Sequence, residues 1–236
     1  MIKFFREIRK NLLSEGKTVN YLKYAIGEIV LVVIGILIAI QLNNWKQSSI
    51  ESGLEKKYLI NLVTELEQDS IGLTENYRQL QNQAKIKNHF LDLINKEIKH
   101  DSIIYYFEYQ WRPIQPKTAI KSTYSEMINN SHLKIIKNDT LRKKIINFYN
   151  AYEILEKEED FFIQSSTKTI LNLISQSIPN ITNYDIDDVM SLKSNNHLLN
   201  AIQLNGAFTR RNNYKKIINK CSELTRDIKK LQAEQN

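Results

Sequence analysis

The stretch AIGEIVLVVIGILIAIQL, residues 25–42, decides how the rest of the chain is read. Its eighteen residues cover about 27 Å at the helical rise, close to the hydrocarbon thickness of a bilayer. The flanks agree with a membrane span: Tyr21 and Tyr24 precede it and Trp45 follows, where amphipathic rings favour the headgroup layer, and Lys23 and Lys46 close the ends. The uncharged part, Ile29 to Ile40, is short enough to be a buried core helix or the apolar region of a signal peptide. A core helix would not need aromatic and lysine flanks at both ends. Signal-peptide cleavage needs two small residues, and around Ala39 the partners are Leu37 or Gln41. The sequence is therefore read as one transmembrane helix over residues 24–45.

Orientation follows from the basic residues near its ends. Lys3, Arg6, Arg9, Lys10, Lys17 and Lys23 precede the span, whereas Lys46, Lys56 and Lys57 follow it, so the N-terminus is expected in the cytoplasm. Residues 46–236 are then exported, to the periplasm in a two-membrane bacterium. Within the basic cytoplasmic segment, 1–23, Ile2, Phe4, Phe5, Ile8, Leu12 and Leu13 recur at helical steps among the charges. This outlines an interfacial amphipathic helix, with Phe4 and Phe5 towards lipid and Arg6 and Arg9 at anionic headgroups. Charges that merely set topology are the simpler alternative. Inside the span, Gly27, Gly35 and Ala39 fall on nearly one helical face, a surface for close helix approach, and Glu28 lies on the adjoining stripe. A homo-oligomer and the lipid bilayer are the expected contacts of this segment.

Composition limits the remaining classes. Residues 1–23 hold six basic and two acidic side chains; residues 43–236 hold 27 basic and 23 acidic. The second excess is spread out and lacks the clustered stripe that phosphate neutralisation requires, so no nucleic acid partner is expected. Cys221 is the only cysteine, which excludes an intrachain disulfide, and its register with Ile217, Leu224 and Ile228 marks it as a buried small hydrophobe. Six Gly and three Pro in 236 residues disfavour turn-rich β architectures.

Beyond the span, Leu59, Val63, Leu66, Ser70, Leu73, Tyr77, Leu80, Ala84, Lys87, Leu91, Ile94 and Ile98 alternate steps of four and three, the seam of a long helix. Residues 103–111, aromatic and β-prone, read as a loop or short strand ended by Pro113 and Pro116. Thr118 is placed as the cap of a helix to about Asn130, and 131–137 as a turn. Asn138 caps a second long helix to about Ser177, with Leu141, Ile145, Phe148, Tyr152, Leu155, Glu159, Phe162, Ser166, Thr169 and Leu173 on its seam. A last helix runs from about Ser194 to Ala233, with a polar middle over 209–213. These pieces predict an all-α protein, one transmembrane helix followed by an elongated antiparallel bundle. Three long helices alternating in direction would leave the C-terminus far from the membrane.

The segments IKFFREIRKNLLSEGK (2–17) and YLKYAIGEIVLVVIGILIAIQLNNW (21–45), with TAIKSTYSEMINNSHLKIIKNDTLRKKIINFYNAY (118–152), resemble a family of small single-pass membrane proteins from flavobacteria and other Bacteroidota, a domain of unknown function. The resemblance implies that type of cell envelope and supplies no catalytic residues. His132 stands where the family more often has Gly.

Chemistry-bearing motifs are sparse. Glu97 and His100 match one Glu-x-x-His pair, where a di-iron bundle needs two. The acidic run Glu153, Glu156, Glu158, Glu159 and Asp160 reads as a solvated helix face, and phosphate-binding glycine loops are absent. The sequence is read as non-enzymatic, without cofactor: a membrane-tethered interaction or scaffold module meeting another envelope protein. The alternative is a ligand-sensing bundle signalling through a partner, with its ligand near Tyr105, Tyr106, Phe107, Tyr109 and Trp111.

Overall fold

The computed structural model describes residues 18–110, 112, 114–204 and 207–234. Phe4, Phe5, Arg6, Arg9 and Trp111 lie outside them. The all-α expectation holds: among the described residues there is no strand. The chain divides into two contact-defined units, Met1–Leu54 and Glu55–Asn236.

Helix α1 is a single element, Thr18–Asn95. Its stop is a backbone motif: Glu97 takes a left-handed φ of 57°, and the Ile98 amide bonds back to Leu93 O at 3.0 Å. That six-to-one bond satisfies a carbonyl the helix end would otherwise orphan. Within the second unit the buried face of α1 centres on the line Glu55, Leu59, Leu62, Leu66, Asp69, Leu73, Asn76, Leu80, Gln83, Lys87, Phe90 and Ile94, with Tyr58, Ala84, Ile86 and Leu91 buried beside it. The steps alternate four and three without interruption. Half of this seam is the one the apolar pattern indicates; the other half is displaced by one residue, to Leu62, Asp69, Asn76, Gln83 and Phe90. This line carries polar residues at seven-residue spacing; of the positions a hydrophobicity reading selects instead, Ala84 and Leu91 are buried as well, while Val63, Ser70 and Tyr77 are half-buried.

Residues expected in a loop or strand form helix α2, Ser102–Gln110. Burial overrides their β preference: Ile103 and Phe107, one turn apart, insert into a cluster with Phe90, Ile94, Ile174 and Leu198. The described residues between α2 and α3, Ser122–Asn129, form neither helix nor strand, so Thr118 is not a cap. Ser131 adopts the left-handed conformation and a 3-10 turn, His132–Ile135, follows. Because the positive φ falls on Ser131, His132 is free of backbone strain, and its Nδ1 meets the Tyr58 hydroxyl at 2.8 Å.

Helix α4, Asp139–Ser165, is capped as expected by the Asn138 side chain, which accepts from the Leu141 amide. A π-turn, Ser166–Ile170, joins it to α5, Leu171–Ser177. The π-turn inserts one residue, so the buried line passes from Glu159 and Ser166 to Ile170, Ile174 and Ile178 rather than to Thr169 and Leu173. A reciprocal capping box between Asp185 and Asp188 starts the short α6, Ile186–Ser191. The last helical stretch is described as α7 (Asn196–Leu204) and α8 (Ala207–Glu234).

Side-chain pairs give the directions. Lys144–Asp227 and Glu159–Arg210 make α4 and α8 antiparallel, and Cys221 on Leu66 O with Lys87 on Gln203 O sets α1 against α7 and α8 in the same sense. Helix α4 runs parallel to α1: the Lys137 amide just before it bonds Glu55, and its far continuation packs Ile174 with Phe90 and Ile94. The long helices therefore do not simply alternate. The chain returns along α1 through residues 112–137 before α4 begins, and α8 ends beside Asn138 and Leu141 at the Glu55 end of the bundle.

The π-turn gives the first test. Ile170→Ala should cost about 2–5 kcal/mol in urea unfolding, while Thr169→Ala stays within about 0.5 kcal/mol. Equal costs, or the reverse order, would place the seam where an unbroken α-helix would have it.

Candidate functional site

The expected membrane residues lie on α1. Gly27, Gly35 and Ala39 are exposed, and a Cβ built on either glycine meets nothing within 4 Å. Glu28 is half-buried and Trp45 is 73% exposed. Tyr21 and Tyr24 fall within the helix. The apolar side chains from Ile26 to Leu42 are 46–63% exposed, and the most apolar eighteen-residue window has a mean hydropathy of 2.6. By length and composition this helix is long and apolar enough to cross a membrane, a criterion that a signal sequence also meets.

In the second unit the most specific arrangement is one the sequence reading missed. Residues 114–121, neither helix nor strand, form a strap laid antiparallel on α1, and the backbone there, at Arg112 and at Thr123 bonds to side chains instead of a sheet. Gln83 donates to Arg112 O. Asn76 binds Lys117 at both ends, donating to its carbonyl and accepting from its amide, each at 2.9 Å. Asp69 accepts from the Ile120 amide at 2.9 Å, and Glu65 accepts from the Thr123 amide and hydroxyl. Glu55 takes the Lys137 amide beyond the next turn at 2.7 Å. From the opposite side, Glu156 of α4 accepts from the Ala119 amide at 3.0 Å and from Lys121 Nζ at 2.5 Å. Asx and Glx residues at heptad spacing are the signal that could have revealed it.

Beneath the strap lies a buried polar cluster. Asp69 is 2% exposed and its Oδ2 has no partner; the hydroxyls of Tyr149 and Tyr152 are also buried and unpartnered. Burial pushes the Asp69 carboxyl up to about 6, reinforced by the charges of Glu65 and Glu156 and opposed by the Ile120 amide and Lys121. Burial likewise raises Tyr152, Tyr149 and Tyr214, and lifts the Cys221 thiol to about 12, in keeping with its expected role as an inert core residue.

The acidic run is not uniformly solvated. Glu153 and Asp160 are exposed, but Glu159 is 2% exposed at its side chain and forms a bidentate pair with Arg210, at 2.8 and 2.5 Å. Arg210 also lies over the Phe162 ring. It comes from the polar middle of the last helix, so that stretch supplies the partner that makes a buried carboxylate tolerable. Between strap, α4 and α8 a cleft of about 310 Å³ opens, lined by Pro116, Lys117, Thr118, Ala119, Lys121, Tyr152, Leu155, Glu156, Glu159, Asp160 and Tyr214.

The other candidates are engaged in structure. Glu97 pairs with Lys193, and His100 Nδ1 bonds Ser102 at the start of α2. Among the described residues no three His, Cys, Asp or Glu gather as a metal site. The aromatic segment lies on α2, with Phe107 in the core, Tyr106 stacked on His89, and Tyr105 and Tyr109 exposed. Its described residues do not line the cleft. No family model, curated protein or solved structure matches this chain.

The pH dependence of Asp69 is testable. Its carboxyl is raised in the fold, so its contribution is fully present below about pH 4 and is lost as the pH climbs to about 6. Asp69→Asn retains an acceptor for Ile120 and removes the buried charge. Relative to wild type, the variant should gain about 3 kcal/mol between pH 4 and pH 7 in urea titrations. A difference that stays constant across that range would contradict the assignment.

Proposed function

We propose that the chain is a single-pass membrane protein whose helical bundle is an exported interaction module of the cell envelope. The carrying observation is the exposed apolar surface of α1 between Ile26 and Leu42. Leaving twelve large aliphatic side chains in water forfeits on the order of 20 kcal/mol. A bilayer of matching thickness supplies the cover. Span is favoured over cleaved signal because small residues are missing from the cleavage positions around Ala39. The basic excess before Lys23 supports a cytoplasmic N-terminus. The resemblance to the Bacteroidota membrane family supports the same reading and an inner-membrane location. The bundle would meet another envelope protein, and the Gly35 and Ala39 face would allow self-association.

A second reading, that the bundle also takes a small ligand, is favoured by the cleft between the strap, α4 and α8.

Protease added to intact spheroplasts should digest residues beyond the span and leave a membrane-bound N-terminal stub. Protection of the bundle until the membrane is broken would reverse the orientation, and recovery of the whole chain in the soluble fraction would remove the anchor.

A further inference from the structure

A groove of about 420 Å³ lies between α4 and α8. Two α4 side chains stand over it: Ile154 is 59% exposed and Phe161 is 67% exposed. They are seven residues apart, two turns along one helical face, or about 10 Å. Phe162 continues the apolar surface, and Arg210 lies over its ring. Thr209 and Asn213 form the α8 wall, and Asn213 donates to Glu158 at 2.7 Å. Ile71, exposed to the same degree as Phe161, is set among Ser70, Thr74, Glu75 and Arg78. A single apolar side chain of that kind is ordinary, whereas an apolar pair along a groove marks an interaction surface.

The charges at its edges select the occupant. On α4, Lys157 pairs with Glu153, Glu158 is taken by Asn213, and Asp160 belongs to the strap-side cleft. On α8, Lys216 and Lys220 follow Asn213 at steps of three and four, on the flank that also carries Asp227, the partner of Lys144. Both lysines are exposed and without an ion pair to any described residue. Glu223 comes one turn later, beyond Lys220 as seen from Phe161. The free charge beside the apolar pair is therefore positive. A groove between two helices, with apolar contacts at seven-residue spacing, accepts a third helix laid along it with its apolar stripe inward. Acidic side chains flanking that stripe would meet Lys216 and Lys220, and basic ones would be repelled by them. We propose that this groove receives an acidic amphipathic helix of a partner protein; the proposal rests on the interaction-module reading above and names its docking face.

The test uses the full chain in lipid nanodiscs and fluorescent helical peptides of about five turns. One carries leucines at i, i+3 and i+7 flanked by glutamates; a second replaces the glutamates by lysines, and a third replaces the leucines by alanines. By anisotropy the first should bind, and the other two at least about tenfold more weakly. Phe161→Ala, and Lys216→Gln combined with Lys220→Gln, should each weaken the first peptide about tenfold at an unchanged melting temperature, because these side chains are exposed. Ile71→Ala should leave binding unchanged. Equal affinity for the acidic and basic peptides, unchanged affinity in both groove variants, or no binding of the acidic peptide would overturn the proposal. Photocrosslinking in native membranes, with benzoylphenylalanine introduced at Phe161, Ile71 or Ile181, separates the docking face from the reading beneath it. An adduct at Phe161 that maps to an acidic amphipathic helix of another protein supports both. Adducts at Ile71 or Ile181 alone keep the interaction module and overturn the groove, and an adduct at Phe161 with a second copy overturns the partner. No adduct at any position overturns both.

Discussion

The bundle depends on how residues 114–123 satisfy their backbone. An extended segment pressed against a helix has no strand beside it, and its amides and carbonyls would be costly to bury unpaired. Helix α1 meets that demand with side chains. Because its buried line repeats every seven residues, Asp69, Asn76 and Gln83 stand one above another, and each binds the strap at a successive point. Asn76 does so at both the amide and the carbonyl of Lys117, imitating one rung of a sheet. A fully apolar seam would pack α1 well and leave the strap unbound.

The return strap sets the order of everything after it. By carrying the chain back to Glu55, it lets α4 start at the same end of the bundle as the α1 seam and run parallel to it, leaving α8 to fill the antiparallel groove. In that arrangement Glu159 and Arg210 meet in the interior. Their pairing contributes more to register than to net stability, since desolvation offsets most of the attraction. The same geometry leaves an opening where the strap crosses α4, and it buries Asp69 and Tyr152 without full satisfaction. A small ligand is therefore sought beside the strap, where the fold tolerates polar groups that a purely structural core would avoid.

Much of the fold was legible in the sequence because its cues are local. The apolar run of 25–42, the Asn138 cap, the buried line from Leu141 to Ser166 and the core placement of Cys221 follow from hydropathy and period. What was not legible depends on distant partners. Asp69, Asn76 and Gln83 are not legible as buried positions of α1 because they look like surface residues until the strap is present. Helix α2 forms because Ile103 and Phe107 find Phe90, a contact no window around them contains. The π-turn displaces the seam by one residue with no local mark in Ser166–Ile170. Two missed features did carry a signal: Asp185 and Asp188 have capping-box spacing before Val189, and Asx/Glx residues seven apart recur along α1. The cleft draws on strap, α4 and α8, so only its individual residues could be named in advance.

The central claim is that side chains of α1 and α4 hold the backbone of an extended strap as firmly as a sheet would. Residue-resolved amide hydrogen exchange on the full-length protein measures this directly. The account predicts that the amides of Lys117, Ala119, Ile120 and Thr123 exchange at least about a hundredfold more slowly than in an unstructured peptide, although they lie outside any strand and Thr123 alone lies in a helix. Exchange of these four at the unstructured rate, with α4 amides still protected, would contradict it.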